Sequence, residues 1–170
     1  MQRSYFLRSI LGLLGIATAP TVISCEKEND ADTQEPQPML SEEDAAYAAR
    51  KERAQTDGFF REGTALYLDI THNKYSALAV QEGNLNDTEN YLLLLRSSST
   101  KIKAFSNCCP HLGTTNLWTY AQGNFRCNNH GNTYSTGTGN FVACNSGRRS
   151  GNLKQYPTEL DRDILYVDLS

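Results

Sequence analysis

The sequence predicts an all-β fold, an antiparallel sandwich or barrel, entered through an export leader, a flexible tether and one short helix. Three observations carry this. From Thr64 onward the 170-residue chain is a succession of short β-type runs separated by turn residues, the texture of sandwiches and barrels rather than of α/β folds. One helical pattern stands before them, at 41–55. The first 25 residues have the pattern of a targeting segment. The length is room for one domain plus attachments.

Residues 1–24 read as a signal peptide. Arg3 and Arg8 stand without an acid, and the apolar run from Ile10 to Ala17 is too short to span a membrane. The run ends in Val22-Ile23-Ser24-Cys25, which resembles the bacterial lipobox, whose cysteine receives diacylglycerol. The alternative is an ordinary signal peptide with an incidental cysteine. The acidic, proline-containing stretch after Cys25 favours the lipoprotein, because it suits a surface tether. Arg3–Arg8 resembles a twin-arginine export signal with Ser4 in place of the second arginine, so Sec export stands beside it. Cys25–Asp30 resembles the lysine-plus-acid signal that sends some lipoproteins to the outer face of the outer membrane. The implied location is the cell envelope, as a periplasmic or outer-membrane lipoprotein, with membrane attachment through Cys25.

Residues 25–40 read as an acidic tether. Residues 26–44 hold eight acids against Lys27 alone, with Pro36 and Pro38 among them. The short helix is placed within 41–58. Ser41 and Asp44 make a capping box, acids fill the first turn and bases the last. Its apolar face, mainly alanine and Tyr47, predicts only light packing. Residues 45–170 carry 13 bases and 11 acids, a balance that gives no sign of nucleic-acid binding.

The expected strands are 64–70, 75–80, 91–97, 101–106, 124–127, 132–136, 140–144, 153–160 and 163–169. Glycine and asparagine mark the breaks between them, at Gly83-Asn84, Gly123-Asn124, Gly137, Gly139 and Gly147 through Gly151. No internal repeat is present.

The chemistry is concentrated in residues 108–131, which hold three of five cysteines and two of three histidines. Cys109-x-His111 is followed, after residues 112–126, by Cys127-x2-His130. Each pair lets one loop present a thiolate and an imidazole. Two cysteines and two histidines suit tetrahedral zinc. The usual zinc finger keeps its cysteines in one pair and its histidines in the other, whereas both pairs here are mixed. Mixed pairs suit a binuclear iron–sulfur cluster, with both thiolates on one iron and both imidazoles on the other.

Cys109-Pro110-His111-Leu112-Gly113 and Cys127-Asn128-Asn129-His130-Gly131 resemble the two boxes of the Rieske [2Fe–2S] motif. The resemblance extends to residues 91–111, 134–141 and 153–169, and covers roughly 64–170. It implies a Rieske-type β-sandwich with a cluster-binding subdomain and one-electron transfer. It implies Cys109, His111, Cys127 and His130 as ligands, Leu112 as a shield, and Tyr134 as a donor to a cysteine sulfur. Rieske oxygenases add a domain with iron held by two histidines and a carboxylate. The one remaining histidine, His72, cannot build that site and reads as a loop residue. Trp118 reads as core. The implied role is therefore an electron carrier with an unnamed redox partner. The alternatives are a small Rieske subunit of a larger periplasmic or membrane oxidoreductase, of the arsenite-oxidase or cytochrome bc kind, and a non-redox metal-binding lipoprotein.

Departures from the family pattern carry expectations of their own. Thr114 and Asn129 stand where the bc-type subunits have two bridging cysteines. Asn132 stands in place of a serine that bonds a bridging sulfide. Fewer donors to sulfur imply a reduction potential below the bc-type range. Asn128 replaces a proline, and residues 145–152 replace a proline-rich covering loop, which predicts a looser third loop. Within it, Arg148 and Arg149 read as solvating residues or as guides for an acidic partner. With Cys25 lipidated and Cys109 and Cys127 on iron, Cys108 and Cys144 remain. In an oxidising compartment they are expected to form a disulfide, the alternative being two buried thiols.

Overall fold

The computed structural model describes residues 40–170. The leader, Cys25 and the tether up to residue 39 lie outside the described residues.

Helix α1 (Glu42–Ala54) starts where the capping pattern places it, with the Ser41 hydroxyl oxygen accepting from the Asp44 N–H at 3.1 Å. Its thin apolar face does not dock it; charge does. Lys51 Nζ reaches Asp69 at 2.5 Å, Thr71 at 2.6 Å and Asp163 at 2.8 Å. Tyr47 donates to Asp163, and Arg162 donates to Asp44 at 2.6 Å. The light packing expected from hydropathy is replaced by a polar clamp around one buried alanine, Ala54.

The helix lies on strands β1 (Phe59–Glu62) and β2 (Ala65–Asp69). A 3₁₀ helix follows at Asn73–Ala79, then β3 (Asn84–Asp87), β4 (Leu92–Ser98) and β5 (Lys101–Ser106). Next come β6 (Trp118–Ala121), β7 (Asn124–Cys127) and β8 (Asn132–Ser135). The chain closes with β9 (Gln155–Tyr156), β10 (Thr158–Asp161) and β11 (Ile164–Asp168). Among the described residues, three antiparallel sheets form, in the orders β1-β2-β11-β10, β3-β4-β5-β9 and β6-β7-β8.

Strand β4 explains the layering. Leu92 and Leu94 enter a core with Leu66, Leu68, Leu165 and Val167 of the first sheet. Leu93 and Leu95 enter a second core with Phe125, Tyr134, Cys109 and Cys127. Period-two side-chain alternation makes four consecutive leucines reasonable only where both faces of a strand are covered. The middle sheet is thus a wall shared by the base of the molecule and the loops above it.

Three expected strands are corrected. Residues 75–80 lie largely in the 3₁₀ helix, whose three-residue turn sets Tyr75 and Leu78 on the core side; His72 caps it, Nδ1 accepting from the Lys74 N–H at 3.2 Å. Residues 140–144 contribute only an isolated bridge, Phe141 to Asn152. Residues 153–160 divide at Pro157, which has no N–H for a ladder, so β9 joins the middle sheet and β10 the first. The strands missing from the expectation, β1, β3 and β6, are all edge strands. Edge strands are half exposed and carry little periodicity.

Candidate metal centre

The two boxes fold as matching turns. Gly113 N–H donates to Cys109 C=O at 2.8 Å, and Gly131 N–H to Cys127 C=O at 2.9 Å. Both turns close on a glycine with positive φ, +72° and +75°, a region open to glycine without steric cost. The five-residue Cys-to-Gly spacing read in the sequence is thus the length of one closed turn. Strand β5 feeds the first turn, and the hairpin β7–β8 carries the second.

The four donors sort by element. Cys109 and Cys127 are both buried, unpaired and in one core cluster. Cys127 is held above the ordinary thiol value by burial, then by its hydrogen bond with Cys109; the N–H groups of Asn129 and His130 oppose this by donating to its sulfur. His111 and His130 stand together nearer the surface, ring centroids 4.9 Å apart and planes perpendicular. Partial burial, then the charges of His130 and Arg149, hold His111 below the usual imidazole range. His111 Nδ1 is buried with no partner in the protein, and a buried polar atom without a partner calls for a ligand or ion. His130 is exposed.

The way the donors are paired bears on the two metal readings. A mononuclear tetrahedral site needs its four donors around one point. A sulfur pair below an imidazole pair fits two metals with two protein donors each. The model of the Rieske [2Fe–2S] domain family matches residues 68–157. The chain belongs to the Rieske [2Fe–2S] domain family. No curated protein matches the sequence.

A Rieske domain binds a [2Fe–2S] cluster and transfers electrons through it, and the donor set here fits that group. Around the donors, the Tyr134 hydroxyl lies 3.7 Å from Cys109 Sγ and donates to the Arg148 C=O at 2.7 Å. Burial, then the hydrogen bond and charge of Cys109, push its phenol well above the ordinary value. Trp118 packs on Phe125 and Tyr134 and donates to the Asn107 C=O at 2.7 Å, a core role. Leu112 is 55% exposed, so its side chain lies at the rim and faces water.

The loops are laced together by bonds that the sequence does not announce. Asn129 Nδ2 donates to Thr114 Oγ1 at 2.9 Å, at the positions where the bc-type subunits carry their bridging cysteines. The third loop is tied to the first at its start. Asn145, Ser146 and Gly147 donate backbone N–H bonds to the carbonyls of Cys109, Pro110 and His111, at 3.3, 2.7 and 3.2 Å. Cys108 and Cys144 are joined in a disulfide, with Cα atoms 5.4 Å apart, at the foot of the same pair of loops. Asn132, opposite Cys127 in the β7–β8 register, keeps a buried Nδ2 with no protein acceptor.

Proposed function

We propose that the mature chain is a cell-envelope lipoprotein, held by a lipid on Cys25, that passes single electrons between unnamed redox partners. The thiolates of Cys109 and Cys127 would hold one iron, and the imidazoles of His111 and His130 the other. When bound, the [2Fe–2S] cluster takes up and releases one electron at a time. The observation that carries this reading is the division of four donors into a buried sulfur pair and an outward imidazole pair.

The residues have distinct tasks. The matching turns fix each thiolate and imidazole relative to the other. The N–H groups of Asn129 and His130 direct hydrogen-bond donors at the Cys127 sulfur, which stabilises the more negative, reduced state, while the Tyr134 hydroxyl gives its proton to the Arg148 C=O and holds the third loop beside Cys109 instead of donating to sulfur. The spare N–H of Asn132 suits a sulfur acceptor in the same way. His130, exposed, is the exit for the electron. The Cys108–Cys144 bridge, oxidised in the envelope, keeps the first and third loops in register. The reduction potential is placed below the bc-type range, and Asn132→Ala is expected to lower it further in a redox titration.

The test is electron paramagnetic resonance on the soluble part of the chain, residues 26–170, purified anaerobically and reduced with dithionite. The expected result is the rhombic signal of mixed cysteine and histidine ligation, lost in His111→Cys and His130→Cys. Zinc without iron in elemental analysis, and no signal, would overturn the proposal.

A further inference from the structure

Charge is divided sharply along this chain. Between Glu89 and Glu159 there are seven bases and no Asp or Glu. Of the 13 bases in residues 45–170, only six lie elsewhere, with all 11 acids. The acid-free stretch contains both boxes, the third loop and most of the middle and loop sheets. Every ion pair among the described residues lies outside it.

Three of these bases surround the donors. Arg149 is close enough to His111 for its charge to bear on the ring. The Arg126 guanidinium packs beside Gly131, with a nitrogen 3.1 Å from where a Cβ would stand. Arg148 follows Gly147 in the loop bonded to the first box. All three are exposed. Two apolar side chains of the same loops also face water: Leu112 in the first box, 55% exposed, and Leu117, 43% exposed, whose C=O accepts from the Asn128 N–H of the second at 2.7 Å. The cofactor does not cancel the field. Two thiolates balance the charge of an oxidised [2Fe–2S] core, neutral imidazoles add nothing, and reduction adds one negative charge against the three arginines.

We infer that the face around His130, which carries exposed Leu112 and Leu117 together with Arg126, Arg148 and Arg149, docks an acidic one-electron protein. This rests on the electron-carrier reading above and names the kind of partner. It combines exposed apolar side chains with exposed charged ones, the two materials of an interface. An exposed basic face without counter-charges steers an acidic partner and repels a basic one. In the docked pair one electron leaves the reduced centre behind His130 and one is gained by the oxidised centre of the partner.

The experiment uses residues 26–170 carrying the cluster, without the lipid of Cys25. The dithionite-reduced protein is mixed by stopped flow with hexacyanoferrate(III), an anion, and with tris(phenanthroline)cobalt(III), a cation. The anion is expected to be favoured about tenfold or more at low salt, and the preference to fade as ionic strength shortens the Debye length. Arg126→Glu with Arg149→Glu erases or inverts it. Arg53→Glu with Arg61→Glu, the same change in net charge on the far half, leaves it in place. Titration calorimetry gives a readout that needs no turnover: an acidic c-type cytochrome binds at low salt, a basic one does not, and the Arg126/Arg149 reversal abolishes binding. Rates indifferent to probe charge, with the paramagnetic signal intact, would overturn the docking face and spare the carrier. A missing signal would overturn the carrier, while calorimetry still reports on the face. Binding to phosphatidylglycerol vesicles, lost in the Arg126/Arg149 reversal, with no cytochrome binding, would overturn the inference by assigning the face to a membrane.

Discussion

The two halves of this molecule are held together by different forces. The base, α1 with the first sheet, buries aliphatic side chains and binds its charges in pairs. The loop half buries aromatic rings and two thiols, has no ion pair among the described residues, and relies on a disulfide and backbone hydrogen bonds. A base needs only stability, and aliphatic burial with paired charge supplies it. A redox end needs four donors fixed in place and a surface still able to attract a partner. Internal ion pairs there would cancel the charge that does the attracting.

The comparison is sharpest on strand β4, where neighbouring leucines serve different halves. Leu94→Ala should cost about 2–5 kcal/mol in denaturant unfolding, the usual toll of a core truncation, and leave the paramagnetic signal unchanged. Leu93→Ala should cost a similar amount but broaden or shift the signal, because Leu93 packs in the core containing both thiols. Equal spectral effects from both would mean that the wall does not insulate one half from the other.

The disulfide comes next. Cys108 and Cys144 are 36 residues apart, and closing a loop of that length restricts the unfolded chain by about 3–4 kcal/mol. Cys108→Ser with Cys144→Ser should lose that much in thermal unfolding. Hydrogen exchange should quicken at residues 145–147 and not at β2 or β11.

The polar clamp of α1 follows, at about 1.5–3 kcal/mol for Lys51→Met, the range of hydrogen bonds to charged groups. Burial raises the Asp69 carboxyl, but the bonds from Lys51 and Thr71 outweigh it and hold it below its ordinary value of 3.8. A depressed carboxylate contributes stability above its unfolded value, lost as pH falls through the folded one. Lys51 is opposed by burial yet raised above 10.5 by Asp163 and Asp69, so its share is lost only as strongly alkaline pH is passed. Stability profiles should therefore fall below about pH 4 in the parent and fall less steeply in Lys51→Met.

The sequence exposed these halves unequally. The donors were legible because the Cys-to-Gly spacing of each box is set by a five-residue turn, and backbone closure writes itself into local sequence. The all-β class was legible in the succession of short β-type runs and the turn residues between them. The docking of α1 was not, because Lys51 meets Asp69 and Asp163 across long separations that no local pattern records. Nor were β1, β3 and β6, edge strands whose exposed faces are free to be polar. The acid-free stretch lay open to counting, but a count becomes a surface only when the fold places Arg126 and Arg149 beside the imidazoles.

The smallest effect probes the joint between the two boxes. Asn129→Ala removes the donor to Thr114 Oγ1, and an exposed, neutral hydrogen bond contributes about 0.5–1.5 kcal/mol. The stability loss is therefore close to the limit of a melting experiment. Its consequence for the site is easier to read, because Asn129 also directs its backbone N–H at the Cys127 sulfur. Freed from Thr114, that peptide no longer has a fixed aim, and a weaker donor to thiolate destabilises the reduced state. The potential should fall in a redox titration of Asn129→Ala and recover in Asn129→Ser if the shorter hydroxyl regains Thr114. A drop in both potential and stability from Thr114→Ala, which leaves the Asn129 backbone unchanged, would show that the side-chain bond rather than residue 129 itself sets the aim. No change in potential from Thr114→Ala would locate the whole effect in the turn Cys127–Gly131, and the boxes would then be coupled only through the cluster they share.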